Sequence, residues 1–286
     1  MNIPDNATLK ESQRRDWNAV ASGWEKWWPT IEEGARHVSQ RLIDAAQIQS
    51  GHTVLDIATG IGEPAVSAAT RFGDSIRIIA ADQAADMLAI ARKRAAGLNL
   101  NNIEFIEMDG EQLTLSGNET VHAVLCRWGL MFMPDLDQAL RSIHNTLAPG
   151  GRLSTAVWST PEKTPSISFA MKFVRQRLDL PPPPANMPGP FCLADIDALS
   201  ARMSAAGFSD ITHDRFGVTF AMPSAEAFTE FTREIAAPVA SMVDRQPAAE
   251  RQQIWDELTE AIKQFATADG RIEIENECIC VCAVKP

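Results

Sequence analysis

Val54-Leu55-Asp56-Ile57-Ala58-Thr59-Gly60-Ile61-Gly62-Glu63-Pro64-Ala65 decides the fold. Its first half is an apolar run suited to a buried strand, and its second half is a glycine turn that opens a helix. Glycine at 60 and 62 tolerates unusual backbone angles and lets a ligand press against the main chain. A helix that starts after such a turn aims free backbone N–H groups at that ligand. Pro64 suits a first helical turn, where its missing donor costs nothing. A nucleotide-like cofactor is expected here.

Two cofactors compete for the turn. Gly60-x-Gly62-x-x-Ala65 satisfies the relaxed dinucleotide fingerprint, with Asp82 about 20 residues further on. Asp56 discriminates between them. A pyrophosphate would face this fixed negative charge in a partly dry pocket, where repulsion is poorly screened. A ligand that carries an ammonium and a sulfonium would be attracted instead. Asp56 therefore favours S-adenosylmethionine over NAD.

Residues 76–81 form a second apolar strand that ends at Asp82, a carboxylate placed to accept ribose hydroxyls or else to cap the helix that begins near Ala84. Met87, one turn into that helix, is a candidate cover for an adenine face or plain core. The strand 103–107 then runs into Asp109-Gly110-Glu111. An acidic side chain there can accept an adenine amino group while the next N–H donates to the ring; the bland reading is an Asp-Gly turn.

Four stretches together resemble a known family: Leu55-Asp56-x-x-Thr59-Gly60-x-Gly62, Ala81-Asp82-x-x-x-x-Met87-Leu88, Asp109-Gly110-Glu111 and Leu147-x-Pro149-Gly150-Gly151. In order and spacing they are similar to the class I S-adenosylmethionine-dependent methyltransferases, in the small-molecule group that includes the ubiquinone and menaquinone biosynthesis enzymes. The resemblance covers residues 15–160 well and the remainder loosely. It implies an α/β fold, a Rossmann-like seven-stranded mostly parallel sheet with helices on both faces, an N-terminal helical arm and helical cap insertions. It implies that Asp56, Ala58, Thr59, Gly60 and Gly62 cradle the methionine end, with Ala58 where the family commonly has a third glycine or other small residue. Asp82, with Gln83 beside it, would hold the ribose, and Asp109 with Gly110 and Glu111 the adenine. S-adenosylhomocysteine would be the product.

The rest of the chain is consistent with such an enzyme. At 286 residues it has room for one large domain with additions, divided as an arm (1–50), a cofactor-binding core (51–160), a proline-rich rim (161–191), a core continuation (192–222), a helical cap (223–269) and a last core strand (270–286). A net charge of −11 speaks against nucleic acid or an anionic membrane as partner. With no membrane-length apolar stretch and no signal pattern at Met1 to Lys10, a cytoplasmic protein is expected. Cys278, Cys280 and Cys282 alternate along a strand, so their thiols share one face; a buried cysteine-lined face outweighs a soft-metal row, and no metal is expected.

Further candidates lie outside the bare sheet. Trp17, Trp24 and Trp28 share one helical face of the arm, and Trp24 and Trp28 are its candidate substrate contacts. The run from Leu180 to Pro190 should be extended and stiff. Phe228, Phe231, Ile235, Val239, Met242 and Val243 form a stripe that fits a cap over the substrate or, equally, a homodimer face. After the fourth strand, Arg127 is a cofactor candidate, and Trp128 and Met131 are substrate candidates. The expected acceptor is a small hydrophobic or aromatic molecule, with O-methylation first and C- or N-methylation next. The chain has no tyrosine, and His37 is the one histidine worth testing as a base. A scaffold that binds the cofactor without catalysis and an NAD-dependent dehydrogenase are the alternatives.

Overall fold

Four consecutive residues of the decisive stretch, Val54 to Ile57, are almost wholly buried. Since successive strand side chains point to opposite faces, both faces of that strand are covered. The computed structural model describes residues 5–116, 119–181 and 187–286. It contains a seven-stranded sheet of β1 (Thr53–Ile57), β2 (Arg77–Asp82), β3 (Ile103–Glu107), β4 (Val121–Arg127), β5 (Leu147–Trp158), β6 (Ser209–Met222) and β7 (Ile272–Val284), in the order β3-β2-β1-β4-β5-β7-β6. β1 to β5 are parallel, and β7 runs antiparallel between β5 and β6. The α/β fold with a mostly parallel Rossmann-like sheet is therefore as expected. The strand order reverses between β1 and β4, which opens a crevice at their carboxyl ends.

Helices α2 (Ala65–Phe72), α3 (Ala85–Gly97), α4 (Leu136–Thr146) and α6 (Ile196–Ala205) connect the strands. β5 extends back to Leu147, which pairs with Val121, and β7 extends back to Ile272, which pairs with Met222. α6 starts at Ile196, where the Asp195 carboxylate caps it by accepting the Ala198 N–H at 3.0 Å. Pro64 precedes α2 as its N-cap instead of sitting inside the first turn.

The arm is one helix, α1 (Asn6–Ala45), with Pro29 inside it. An internal proline and two internal glycines disfavour a helix by several kcal/mol in sum, roughly 3 for the proline and about 1 per glycine. Tertiary contact offsets this. Ile31, Ala35, Val38, Leu42 and Ile43 enter the main core with the sheet. A Cβ at Gly34 would stand 2.4 Å from the Thr219 carbonyl oxygen, so only glycine lets α1 lie this close to β6.

α5 (Pro165–Arg177), α7 (Ala225–Ile235), α8 (Ala237–Asp244) and α9 (Ala248–Ile262) pack on one another beside the sheet. Val174, Val239, Val243, Ile254, Trp255 and Leu258 form one cluster, and Phe228 joins Met222, Ile262, Ile272 and Ile274 in another. The stripe with the alternative dimer reading is thus largely used inside the chain: Phe228, Val239 and Val243 are buried. α5 also occupies much of the expected rim segment. In the proline-dense run from Leu180 to Pro190, residues 182–186 lie outside the described residues. Cys278, Cys280 and Cys282 are buried and free; the Cys282 thiol donates to the Ala45 carbonyl of α1 at 3.3 Å. Among the described residues no three His, Cys, Asp or Glu side chains converge as a metal set, and no helix is long and apolar enough to cross a membrane.

Candidate functional site

The glycine turn after β1 is organised by its own carboxylates. Asp56 is fully buried, and its Oδ2 accepts the Thr59 hydroxyl at 2.6 Å and the Ala65 N–H at 2.9 Å. Burial pushes this carboxyl up to about 7, against the two hydrogen bonds that favour its charged form, and nearby Glu63 adds to the rise. Asp56 Oδ1 has no hydrogen-bond partner among the described residues. The helix N–H groups expected to face a ligand are taken. Ala65 donates to Asp56, Val66 to the Gly62 carbonyl, and Ser67 to Glu63. Two carboxylates fold back onto the start of α2, so this helix end offers no anion site.

Gly60 is different. It has φ of 55°, its N–H donates to Asp82 Oδ2 at 2.8 Å, and a Cβ there would meet only open space. Asp82 Oδ1 accepts the Ala84 N–H at 2.8 Å. Asp82 thus ties the β1 turn to the end of β2 and keeps a further lone pair on each oxygen for ligand hydroxyls. Burial raises its carboxyl above the usual carboxylate range, opposed by the backbone donors Ala84, Gly60 and Gln83.

At the end of β3, Asp109 accepts the Glu111 N–H with Oδ1, while its Oδ2 lies 2.7 Å from Lys10 Nζ. Glu111, expected at the adenine, is 3% exposed; it accepts the Asp135 N–H and pairs with Lys10 at 2.5 Å. It is a brace for this turn rather than a group open to a ligand. A Cβ at Gly110 would lie 2.5 Å from Met133 Cε and 2.9 Å from Ile57 Cγ2, so glycine lets these side chains pack closely against the turn. Lys10, Arg14, Gln83, Met108 and Asp109 line a cleft of about 390 Å³. Met87 is buried under Val20 and Ala21 of α1, within the group that Trp17, Trp24 and Trp28 complete.

The other half of the crevice is roofed by α1. Arg127, the last residue of β4, is 8% exposed and donates to Ser39 Oγ at 3.0 Å, with Glu32 at 3.8 Å. Arg94 of α3 pairs with Glu63 at 3.1 Å and bonds the Ile61 carbonyl. The Trp28 ring lies 3.8 Å from the Arg94 guanidinium and 5.8 Å from that of Arg127. Trp128 stacks on Trp158 at 4.3 Å. Ala58 and Trp128, following neighbouring strands, both have positive φ, 54° and 61°. Left-handed backbone at two non-glycine residues is strain gathered at one crevice.

Several expectations are corrected. His37 is not brought to this crevice: its Nε2 lies 2.9 Å from the Gly217 carbonyl on β6, and its ring meets Phe216 edge-on. Helical rotation of α1 turns it toward the far edge of the sheet. Met131 is 1% exposed and belongs to the core instead of a substrate floor. Trp24 and Trp28 do face the crevice, and the buried Trp24 indole nitrogen has no hydrogen-bond partner among the described residues. The sequence reading missed Lys10, Glu32, Glu63 and Arg94. Glu32 left a signal, since it falls four residues after Trp28 on a face that continues to Ala35 and Ser39.

These features fit an adenosyl cofactor. The space over Gly60 and the orphan oxygen of Asp56 suit a ligand with a positive end, and Asp82 suits a ribose. Residues 54–151 match the family model described as a methyltransferase domain. The chain is 29% identical over 161 residues to the ubiquinone/menaquinone biosynthesis C-methyltransferase UbiE of Escherichia coli, covering 54% of this chain and 64% of the relative. The chain thus spans somewhat under two thirds of the length of that curated relative. Its fold is similar to the YcgJ protein of Bacillus subtilis, with a TM-score of 0.58, 16% identity and coverage of 87% and 98%. It is also similar to phosphoethanolamine N-methyltransferase 2 of Haemonchus contortus, solved in complex with S-adenosyl-L-methionine, with a TM-score of 0.56, 19% identity and coverage of 92% and 57%.

Proposed function

We propose that this chain, whose residues 54–151 match a family model described as a methyltransferase domain, transfers the methyl group of S-adenosylmethionine to a small molecule. The observation that carries the reading is the glycine turn. Its open face lies over Gly60, while Asp56 and Glu63 block the helix end that a pyrophosphate would need. That arrangement disfavours a dinucleotide and welcomes a cation.

In this reading Gly60 lets the cofactor approach the main chain, Asp82 accepts the ribose hydroxyls, and Asp109 with the backbone at Gly110 receives the adenine. When bound, the cofactor supplies an electrophilic methyl group on a sulfonium. The chain contributes position and dryness. Trp24, Trp28 and Trp128 wall the reactive end, and α1 covers it, so that acceptor and methyl can be held about 3 Å apart without water. A small apolar or aromatic acceptor suits these walls. Methylation on oxygen is the first reading. Methylation on carbon is the second, favoured by the name of the Escherichia coli relative.

Calorimetric titration with S-adenosylmethionine, S-adenosylhomocysteine and NADH tests the proposal. Micromolar binding of the two adenosyl ligands with NADH silent is the expected result; binding of NADH alone would overturn it. Transfer of labelled methyl from the bound cofactor to quinones, phenols and amines would then identify the acceptor class and distinguish an enzyme from a scaffold that binds without turnover.

A further inference from the structure

Five ionisable groups meet where the turn after β1, the end of β4, α3 and the arm come together. Arg94 pairs with Glu63, Arg127 stands 3.8 Å from Glu32, and Trp28 lies against both guanidiniums. Asp56 lies behind the turn, near Glu63 and Arg127. All five are largely withdrawn from water: Asp56, Glu63 and Arg127 are buried, and the Arg94 and Glu32 side chains are 17% and 14% exposed. Three carboxylates therefore face two guanidiniums. The remaining neighbours do not balance them. Arg36 approaches Glu32 at 3.6 Å but is 67% exposed to solvent. The Cys126 thiol behind Asp56 is pushed by burial up to about 12, so it stays neutral near pH 7.

The imbalance has a structural mark. Asp56 Oδ1 and Glu32 Oε2 are buried and have no hydrogen-bond partner among the described residues, and an unsatisfied buried acceptor is costly. Burial and Glu63 both push the Glu32 carboxyl upward, against Arg127, Arg36 and Arg94. Asp56 is raised by burial to about 7. A proton kept within the cluster would relieve this excess negative charge.

We propose that Glu32, Asp56 and Glu63, set against Arg94 and Arg127 around Trp28, form a charge cluster that selects the sulfonium cofactor over its neutral thioether product. The proposal rests on the cofactor reading above. S-adenosylmethionine carries one net positive charge, and S-adenosylhomocysteine carries none. The cluster gives up its proton to solvent when the cation binds, and takes one back once the methyl group has left and the cation is gone. Product release is thereby favoured by the charge that the reaction removes, and Glu32 and Asp56 act as specificity determinants.

Titration calorimetry with S-adenosylmethionine and S-adenosylhomocysteine, from pH 6 to pH 8 and in buffers of different ionisation enthalpy, reads this directly. Affinity for S-adenosylmethionine should rise about tenfold over that window, with release of up to about one proton near pH 7. Affinity for S-adenosylhomocysteine should stay level, with no proton released. Glu32→Gln should weaken S-adenosylmethionine about tenfold, the equivalent of one pH unit of linkage, and leave S-adenosylhomocysteine unchanged. Retained product binding also shows that the variant is folded. Equal pH dependence and equal proton release for the two ligands in the unmodified protein would overturn the cluster while leaving the cofactor reading intact. Failure of both ligands to bind would overturn the two together.

Discussion

The two halves of the strand-end crevice are built by opposite means. Over β1 and β2, the carboxylate hydrogen bonds that shape the turns are local or join adjacent strands: Asp56 to Thr59 and Ala65, Asp82 to Gly60 and Ala84. Over β4, the contacts come from far along the chain. Ser39 and Glu32 of α1 reach Arg127, and the Trp28 ring of α1 stands 5.8 Å from its guanidinium. The first half is a backbone geometry that a few residues dictate. The second is an assembly that exists only while the arm is docked. Backbone geometry at the crevice is thus set by the turns, whereas its enclosure is set by the roof.

Substitutions can separate the halves. Asp82→Ala should have the largest effect, because it removes the partner of two backbone N–H groups as well as the proposed ribose acceptor. Stability should fall by about 3 kcal/mol in denaturant unfolding, and S-adenosylmethionine affinity by well over tenfold in calorimetry. Arg94→Met should follow. It leaves Glu63 buried without its cation and removes the Trp28 contact, at a cost of about 2–3 kcal/mol, visible as a change in tryptophan emission together with a lower unfolding midpoint. Near-normal stability and emission would mean that the Arg94 pair does not join arm to turn.

Gly34→Ala tests the roof alone. The added methyl meets the Thr219 carbonyl oxygen and Phe220, so about 2 kcal/mol of destabilisation is expected. Limited proteolysis should cut α1 sooner while the sheet survives. Ala58→Gly tests the turn alone and should be mild. Relief of positive φ should raise stability by about 0.5 kcal/mol, with cofactor affinity retained. A loss would mean that the methyl group of Ala58 matters more to the packing against Gly129 than the backbone angle does.

The pH dependence should be the subtlest difference. Asp56 has a raised carboxyl pKa in the folded chain, so the stability that its protonated form contributes is present below the ordinary carboxylate range and is lost as pH rises through about 7. Asp56→Asn keeps an acceptor for Thr59 and Ala65 but does not titrate. Without ligand, its stability should decline less than that of the unmodified protein between pH 5 and pH 8 in thermal melts. Parallel curves would remove Asp56 from the charge balance.

This division also explains how much could be read in advance. The order of β1 to β5 and the turns at Gly60, Asp82 and Asp109 were legible because strand burial, glycine tolerance and acidic strand ends are properties of short stretches. The helix-end N–H groups were misread as free, since nothing in the order of residues says that Asp56 and Glu63 fold back onto them. His37 was misread for a related reason. Proximity in sequence to the tryptophans placed it near the crevice, but its position around α1 turned it to Gly217.

By itself, the sequence determined a parallel sheet, the glycine turn at its strand ends and the expectation of a cationic nucleotide cofactor there, because those follow from hydrophobic runs, backbone freedom and the sign of one carboxylate. Only the tertiary structure decided which groups enclose the reactive end. Lys10, Trp28, Glu32, Arg94 and Arg127 lie far apart along the chain, and their chemistry arises from the low-dielectric contact that docking of α1 creates, where each charge acquires the partner or the isolation that sets its behaviour.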